Sequence, residues 1–313
     1  MRCNFSRAVD GILLLDKPKK LSSNIALQTV RRLFNAKKAG HTGSLDPLAT
    51  GMLPICLGKA TKFSQFLLNA DKYYRVIGRL GQRTNTADAY GEIISERKIN
   101  ITKQQLDQAL DKFRGHLMQL PSMYSALKYR GIPLYKYARQ GITIKRTFRA
   151  ITIYDLKLTR WEKNEVELDI FCSKGTYIRT IIDDLGELLG CGAHVIYLRR
   201  IKIGNYLSKS MVTLEQLNYF KERYKLERNS LEKKIDLFLL PIDTAVNHFP
   251  EINISENIAT YFKQGQSIFI DKNSFINNNI VRVTEGNMHK FIGVAKIVEK
   301  NRIVPFCVIL ENV

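Results

Sequence analysis

Strand-length apolar segments occur throughout this chain, separated by a few helical ones, and this mixture restricts the folds that the chain can adopt. Residues 11–16 form an apolar run that ends at Lys17-Pro18, as a buried strand does. Residues 73–80 alternate, so that Tyr74 shares one face with other apolar side chains. Two further strands are predicted at about 150–160 and 165–172.

Other segments have helical periodicity instead. The sequence Ser22-Ser23-Asn24 supplies N-cap side chains for a helix that runs to about Phe34. Further helices are predicted at about 103–115 and 177–189. The Gly/Pro-rich segment 40–54 is predicted to be irregular. Helices inserted among short strands favour an α+β fold, with a mixed and mainly antiparallel sheet, over a doubly wound one.

The C-terminal part has a different character. Residues 218–236 are dense in Lys and Glu, as in a surface helix or a linker. A small β-rich module is predicted beyond Pro250, with Asn277–Asn279 as a turn. Its four strand-sized runs are residues 267–270, 280–284, 291–297 and 303–310. We therefore expect a large domain of residues 1–249 and a small one of residues 250–313.

Basic residues are concentrated in the larger domain. The chain has 49 Lys and Arg against 29 Asp and Glu, a net charge of +20. Of these, 42 basic and 23 acidic residues lie within residues 1–249, so residues 250–313 are nearly neutral. Such an excess attracts polyanions. The anion is therefore expected to bind mostly to the N-terminal part.

Residues 124–160 combine positive charge with aromatic rings. They contain nine Lys and Arg, six Tyr and Phe, and a single acid, Asp155. Cations neutralise phosphates and rings stack on unpaired bases, which is what looped RNA requires. The alternative is a solvated basic loop whose tyrosines pack in the core. The basic residues taken as candidate RNA contacts are Lys128, Arg130, Lys145, Arg146 and Arg149.

The segment from Gly40 to Gly51 combines His41, Asp46 and Pro47 with three glycines. Glycines allow a ligand to approach the backbone, and Pro47 biases Asp46 towards an extended conformation. A carboxylate held in this way can act as nucleophile or base. The spacing alone favours a long polar loop over a site, and the segment lacks the P-loop pattern.

Arg179 is the candidate counter-charge that would keep such a carboxylate ionised. Its alternative partner is Asp183, one helical turn further along the chain. Tyr74 and Tyr177 are candidate site residues, although either ring could equally be ordinary core packing. His41 could contact phosphate or a base edge, or cap a turn.

Several classes of protein are excluded by composition. No apolar run approaches the roughly 20 residues of a membrane helix, and the first ten residues lack a secretory h-region. Five scattered cysteines do not form a disulfide framework. Cys191 and His194 are too few for a structural zinc site. We expect a cytoplasmic monomer that has neither a metal ion nor another cofactor.

Seven segments together closely resemble the TruB family of tRNA pseudouridine-55 synthases, in family order over about 200 residues. The segments are Gly11–Pro18, Ala39–Pro54, Lys72–Arg75, Leu80–Ala89, Pro121–Lys128, Cys172–Arg179 and Gly190–Arg200. The run Val281–Gly286 is similar to part of the PUA-type RNA-binding module of bacterial members. The resemblance implies the pseudouridine synthase fold and a PUA-like second domain.

The resemblance also implies an activity. A uridine in the T stem-loop of tRNA, uridine 55, would be flipped out and isomerised to pseudouridine without a cofactor. Asp46 would be the essential carboxylate, attacking the sugar, adding to the base or removing a ribose proton, with Arg179 as its ion partner. Tyr74 would stack on the base as a candidate proton acceptor. The other implied contacts are Tyr177 and Leu198 as pocket walls and His41 beside the extruded base.

Two other functions remain open on the residues themselves. One is an RNA-binding or RNA-folding protein without catalysis. The other is a cytosolic hydrolase with an aspartate nucleophile, which would leave the basic, aromatic segment 124–160 unexplained.

Overall fold

The computed structural model describes residues 7–224, 228–270, 280–299 and 302–310. Cys3 and the predicted turn Asn277–Asn279 lie outside these residues. The strands are β1 Gly11–Lys17, β2 Ala39–His41, β3 Thr50–Leu57, β4 Lys72–Leu80, β5 Gln82–Thr84, β6 Ile93–Glu96, β7 Gly115–Gln119, β8 Lys128–Tyr129, β9 Ile132–Pro133, β10 Arg149–Glu162, β11 Glu165–Cys172, β12 Ala193–Ile203, β13 Glu251–Ile254, β14 Ile268–Phe269, β15 Ile280–Glu285, β16 Lys290–Glu299 and β17 Arg302–Val308. The α-helices are α1 Ser23–Leu33, α2 Ser64–Asn69, α3 Lys103–Asp111, α4 Leu134–Ala138, α5 Ile178–Leu188, α6 Leu214–Arg223, α7 Arg228–Asp236 and α8 Glu256–Lys263.

An eight-stranded mixed sheet forms the centre of the molecule, in the order β1-β3-β12-β4-β11-β10-β7, with β2 also paired to β3. Strands β3 and β12 run parallel, and the other pairs described in this sheet are antiparallel. The main apolar core includes residues of this sheet and of helices α1, α3, α5 and α6. The predicted α+β class is confirmed.

The locally encoded elements lie close to where the sequence predicts them. Helix α1 begins after Ser22, whose hydroxyl accepts a hydrogen bond from the Ile25 N–H at 3.2 Å. Strands β4, β10 and β11 and helix α5 also match their predictions. Helix α3 is shorter than the predicted 103–115: it ends at Asp111, and the chain enters β7 at Gly115.

The prediction that residues 40–54 are irregular was wrong at both ends of the segment, because β2 includes Gly40 and His41 and β3 begins at Thr50. Pro54 has no N–H, but its carbonyl accepts a hydrogen bond from the Thr42 N–H at 3.1 Å. Gly51 adopts φ +95°, and a Cβ there would lie 2.3 Å from the Arg200 carbonyl oxygen. A glycine is therefore required where β3 meets β12. The strand tolerates Gly51 and Pro54 because its pairing with the distant strands β1 and β12 stabilises it.

Two segments flagged for their charge divide into regular elements. Residues 149–160 lie in β10 of the main sheet, whereas residues 124–148 contain the short β8–β9 hairpin and α4. The Lys- and Glu-rich segment 218–236 contains the end of α6 and all of α7. The parts of the chain described by the structure contain no helix with the length and apolar character needed to cross a membrane.

The C-terminal residues form a separate five-stranded sheet, in the order β13-β15-β16-β17-β14. All four predicted runs contribute strands, whereas β13 and α8 were not predicted. Phe63 packs against Phe291 of this sheet, with ring centroids 5.5 Å apart. The Lys62 ammonium also donates to the Val308 carbonyl at 3.0 Å. The 3-10 helix Gly58–Phe63, which follows β3, is therefore in direct contact with the second sheet.

Candidate active site

The loop that carries Asp46 lies between β2 and β3 and is fixed at several points. The Ser23 hydroxyl accepts from the Leu45 N–H at 2.8 Å and donates to the Leu45 carbonyl at 3.0 Å. The Lys20 N–H donates to the Pro47 carbonyl at 2.7 Å. The first residue of α1 and the turn just before that helix therefore hold the backbone on both sides of Asp46.

Arg179 pairs with Asp46 through two atoms. Its Nε lies 2.8 Å from Oδ2 of Asp46, and its Nη2 donates to Oδ1 at 3.2 Å. Arg179 lies in the first turn of α5 and is only 4% exposed. The alternative partner, Asp183, binds Arg83 instead, with its Oδ1 2.7 Å from Nε. Two-point pairing fixes the direction of the carboxylate as well as its charge.

The same guanidinium connects three loops. Its Nη1 donates to the Thr86 carbonyl and its Nη2 to the Tyr124 carbonyl, both at 2.8 Å. Its Nη1 also lies 3.5 Å from Oδ2 of Asp88, a buried carboxylate that sequence reasoning did not single out. Asp88 lies within the Leu80–Ala89 motif, but no local pattern indicated that it lies beside Arg179.

The Asp46 carboxylate is surrounded by protein on most sides. It is open on the side of the cleft, and its side chain is 39% exposed. Burial raises its pKa above the usual range for aspartate, and the negative charge of Asp88 acts in the same direction. Arg179 and Lys17 oppose this rise. The ionised form is therefore poorly solvated and depends on its arginine partner, which suits a reactive carboxylate.

A cleft of about 590 Å³ lies over this ion pair, a volume that accommodates a nucleoside. Asp46, Tyr74, Tyr177, Arg179 and Leu198 all line it. The structure therefore brings together five of the residues that the sequence and the resemblance single out.

The apolar walls of the cleft are held by the sheet. Tyr74 lies on β4 between β11 and β12, and burial raises the pKa of its hydroxyl. Leu198 lies on the adjoining β12. Tyr177 is fixed through its backbone, because its N–H donates to Gln119 Oε1 at 2.8 Å and its carbonyl accepts from Nε2 at 3.0 Å. Gln119 is buried on β7 and was not predicted as a supporting residue.

His41 lies apart from this wall, on β2, and does not line the cleft. Its Nδ1 is buried without a hydrogen-bond partner among the described residues. Burial lowers the pKa of His41, as does the nearby charge of Arg200, so that the neutral imidazole is favoured. His194 is buried, with Nδ1 2.9 Å from the Gln82 carbonyl oxygen, as a structural histidine is.

The candidate RNA-contacting cations do not form one cluster. Lys128, Arg130 and Lys145 are exposed on the segment 124–148. Arg146 is half-buried, and its Nη1 donates to the Pro121 carbonyl at 2.8 Å. Arg149 is exposed at the start of β10 and lines the cleft. Arg146 is therefore tied to the backbone, whereas the guanidinium of Arg130 lies over the Tyr129 ring, 5.3 Å from its centroid.

Three buried cations near the cleft were missed by sequence reasoning. Lys17, Lys72 and Arg200 are 0%, 6% and 1% exposed. Burial lowers the pKa of each lysine to about 8. The three residues lie in segments that carry the family resemblance, but composition cannot distinguish a buried lysine or arginine from a surface one.

The described residues contain no group of three or more His, Cys, Asp or Glu side chains placed to hold a metal ion. The chemistry that these residues offer is that of a carboxylate, two tyrosines and several buried cations around one cleft.

Solved structures with a similar fold include chains from two RNA–protein assemblies. A chain in "Structure of H/ACA RNP bound to a substrate RNA containing 2'-deoxyuridine" matches with a TM-score of 0.71 and 23% identity, covering 95% of this chain and 83% of that one. A chain in "Crystal structure of the archaeal box H/ACA sRNP Nop10-Cbf5 complex" matches with a TM-score of 0.71 and 23% identity, covering 99% and 89%. At this identity the likeness establishes the pseudouridine synthase fold.

Curated relatives are much closer in sequence. A tRNA pseudouridine synthase B of Photorhabdus laumondii is 60% identical, covering 98% of this chain and 97% of the relative. The protein of the same name from Yersinia pestis is 58% identical, covering 98% and 94%. That of Serratia proteamaculans is 57% identical, covering 97% and 96%.

Three family models match in succession along the chain. Residues 31–178 match the N-terminal domain of the TruB family pseudouridylate synthases. Residues 179–247 match a tRNA pseudouridylate synthase B C-terminal domain, and residues 250–309 match "Pseudouridine synthase II TruB, C-terminal". With these matches, and with nearly full-length identity to curated relatives, the chain belongs to the TruB family of pseudouridylate synthases and is an isomerase.

Proposed function

We propose that this protein isomerises uridine 55 in the T stem-loop of tRNA to pseudouridine, with Asp46 as the essential carboxylate. Its relatives at 57 to 60% identity are tRNA pseudouridine synthases B, which supports tRNA as the substrate. The observation that carries the proposal is the two-point ion pair of Asp46 with the buried Arg179, at the base of a nucleoside-sized cleft.

The remaining residues have separate roles in this proposal. Tyr74 stacks on the uracil ring and is the candidate proton acceptor, while Tyr177 and Leu198 form the walls. A uridine inside a folded loop must leave its stack to reach Asp46, at a cost of roughly a few kcal/mol. His41 contacts the RNA loop beside the extruded base, from its position on β2 outside the cleft.

RNA binding is divided between two surfaces. Lys128, Arg130, Lys145 and Arg149 bind phosphates of the T arm, because they are exposed on or beside the segment 124–148. Residues 250–313 form the second domain and bind RNA as a PUA-like module, a role supported by the five-stranded sheet within them. The protein acts as a monomer in the cytoplasm and requires no metal or other cofactor.

The experiment that tests this function measures tritium release from a T-arm RNA that carries [5-³H]uridine. The wild-type protein is expected to release tritium, and Asp46→Asn, which keeps the size of the side chain, is not. Arg83→Met is a control that removes a cation from a half-buried ion pair outside the cleft. Release by Asp46→Asn at the wild-type rate would exclude Asp46 as the catalytic carboxylate.

The same experiment separates catalysis from RNA folding without catalysis. Binding of the RNA by both the wild type and Asp46→Asn, with no tritium released by either, would favour the folding role. Mapping pseudouridines in tRNA from cells that lack the protein tests the position: the modification at uridine 55 is expected to disappear.

A further inference from the structure

Arg200 is a buried arginine without a carboxylate partner in the described part of the chain. Its Nε donates to the Met52 carbonyl at 2.7 Å, and its Nη2 donates to the Gly43 carbonyl at 2.8 Å. A buried charge is normally paired with an opposite charge, because its desolvation is costly. These two neutral acceptors leave the positive charge of Arg200 uncompensated.

The side chain of Arg200 lines the cleft that holds Asp46, on the strand next to Tyr74. The two residues are register partners on β12 and β4, and Arg200 also interacts with the Tyr74 hydroxyl. The charge of Asp46 is already engaged by Arg179. The cleft therefore contains a free positive charge beside the ring on which, under the proposed function, the uracil stacks.

Lys72 increases this excess of positive charge. It also lines the cleft, but its ammonium donates to the carbonyls of Leu67, Leu68 and Ala70. An ammonium has three N–H donors, and all three are occupied. A guanidinium has five, and two of those of Arg200 are used by backbone carbonyls. Of the two cations, Arg200 is the one with donors left for a ligand.

We propose that Arg200 stabilises the negative charge that forms on the uracil when it separates from the ribose. This inference rests on the proposed function and on the two routes in which Asp46 acts on the sugar. The N1–C1′ bond breaks with its electron pair kept by the base, which becomes an anion delocalised over N1, O2 and O4. Stabilisation of developing negative charge by a preorganised cation is among the strongest catalytic effects that a protein provides.

The atoms balance in either route. If a carboxylate oxygen of Asp46 bonds to C1′, that bond breaks again when C5 bonds to C1′, and the pair returns to the carboxylate. If Asp46 removes the proton from C2′ instead, the proton returns to C2′ when C5 bonds to C1′. In both routes C5 loses a proton and N1 gains one. Arg200 holds the base anion between its release and the new bond.

The position of Arg200 favours the base over a phosphate as its ligand. It is 1% exposed, beside Tyr74. Arg149 also lines the cleft but is exposed, as a cation that binds the ribose-phosphate backbone needs to be. Phosphate binding by Arg200 is the alternative, and it would alter RNA affinity rather than the rate of the chemical step.

The test compares Arg200→Met with the wild type under single-turnover conditions, with the enzyme in saturating excess over an RNA that carries uridine or 5-fluorouridine at the target position. The measured quantities are the dissociation constant and the rate of N1–C1′ cleavage. We expect Arg200→Met to lower the rate with uridine by about 10²–10³-fold, as loss of one charge-stabilising donor does, with little change in affinity. Fluorine stabilises the base anion, so the defect with 5-fluorouridine is expected to be smaller.

Two further variants keep the test interpretable. Arg200→Lys retains the charge and is expected to recover part of the rate; if Arg200→Met does not fold, Arg200→Lys is compared with the wild type on both substrates. Arg199→Met is the matched control, since Arg199 is on the same strand but binds Asp16 outside the cleft. It is expected to retain the wild-type rate on both substrates.

Three results would overturn the inference or replace it. Weaker RNA binding with an unchanged rate would mean that Arg200 binds a phosphate. An equal loss of rate with both substrates would mean that Arg200 only holds the Gly43 and Met52 backbone. Absence of cleavage by the wild-type protein would instead contradict the proposed function.

Discussion

Nε of Arg179 lies 2.8 Å from Oδ2 of Asp46, although 133 positions separate the two residues in the chain. The pair joins the first turn of α5 to the loop before β3. Because Asp88 lies on the other side of the same guanidinium, 3.5 Å from Nη1, one arginine is paired with two carboxylates. Loss of Arg179 would leave two carboxylates without their cation, whereas loss of Asp46 would leave Arg179 paired with Asp88. The two substitutions are therefore expected to differ in their effect on stability.

Arg179→Met is expected to destabilise the fold by about 3–5 kcal/mol, the cost of leaving buried charge unpaired. Asp46→Asn is expected to cost much less, because Arg179 keeps Asp88 and loses a carboxylate whose ionised form burial disfavours. Denaturant unfolding at pH 7 measures both. Arg83→Met, which removes a half-buried pair with Asp183, should cost less than Arg179→Met, because both of its partners remain partly in contact with water. A larger loss in Asp46→Asn than in Arg179→Met would contradict this account.

The raised pKa of Asp46 predicts where stability depends on pH. The folded protein retains the Asp46 proton to a higher pH than the unfolded chain does, so its contribution to the free energy of unfolding falls as pH rises from 3.8 to the folded pKa. The unfolding free energy of the wild type minus that of Asp46→Asn should therefore decrease over that pH window and be constant above it. An increase with pH would mean that Arg179 outweighs burial.

Asp88 is expected to tune the pH at which the enzyme becomes active. Its negative charge raises the pKa of Asp46. In a plot of the single-turnover rate against pH, Asp88→Asn should therefore move the acidic limb to lower pH. The amide can still accept the hydrogen bond from Thr86 that Oδ1 accepts at 2.8 Å. Asp183→Asn serves as the control and should leave the limb in place. A shift to higher pH would exclude Asp88 as a source of the raised pKa.

Gly51 is predicted to be the least replaceable glycine of the site. Its φ of +95° is unfavourable for other residues, and a Cβ there would lie 2.3 Å from the Arg200 carbonyl oxygen. Gly51→Ala should therefore destabilise the fold by more than the roughly 1–3 kcal/mol of backbone strain alone. Gly190→Ala, at φ +77° with no atom within 4 Å of the added Cβ, reports the strain by itself. Equal losses in thermal unfolding would show that β3 can move away from β12.

Local patterns in the sequence predicted the elements on which the site is built. Alternation placed Tyr74 on the buried face of β4, and helical periodicity placed Arg179 at the start of α5. In both cases the signal lies within about ten neighbouring residues, since period and capping are local properties. The motif around Asp46 indicated a site only in combination with the family resemblance.

The features that were missed depend on contacts between distant segments. The strand at Thr50 exists because β1 and β12 hold it, despite Gly51 and Pro54. Arg200 is buried because β12 lies at the centre of the sheet, beside β4. Neither fact has a local signature, since propensity is readily overridden by tertiary packing. The family resemblance covered these residues without assigning them a role.

The exposed cations are expected to differ in what they contribute to RNA binding. Lys145 is exposed, so Lys145→Ala should weaken RNA binding and reduce the slope of log affinity against log salt by about 0.7, the value for one lost single-strand phosphate contact. Arg146 holds the Pro121 carbonyl, so Arg146→Ala should also increase proteolysis within residues 121–148. Binding titrations across salt concentrations and limited proteolysis measure the two effects, with Lys112→Ala, exposed outside this segment, as the control. If Lys145→Ala leaves the salt slope unchanged, Lys145 does not contact phosphate.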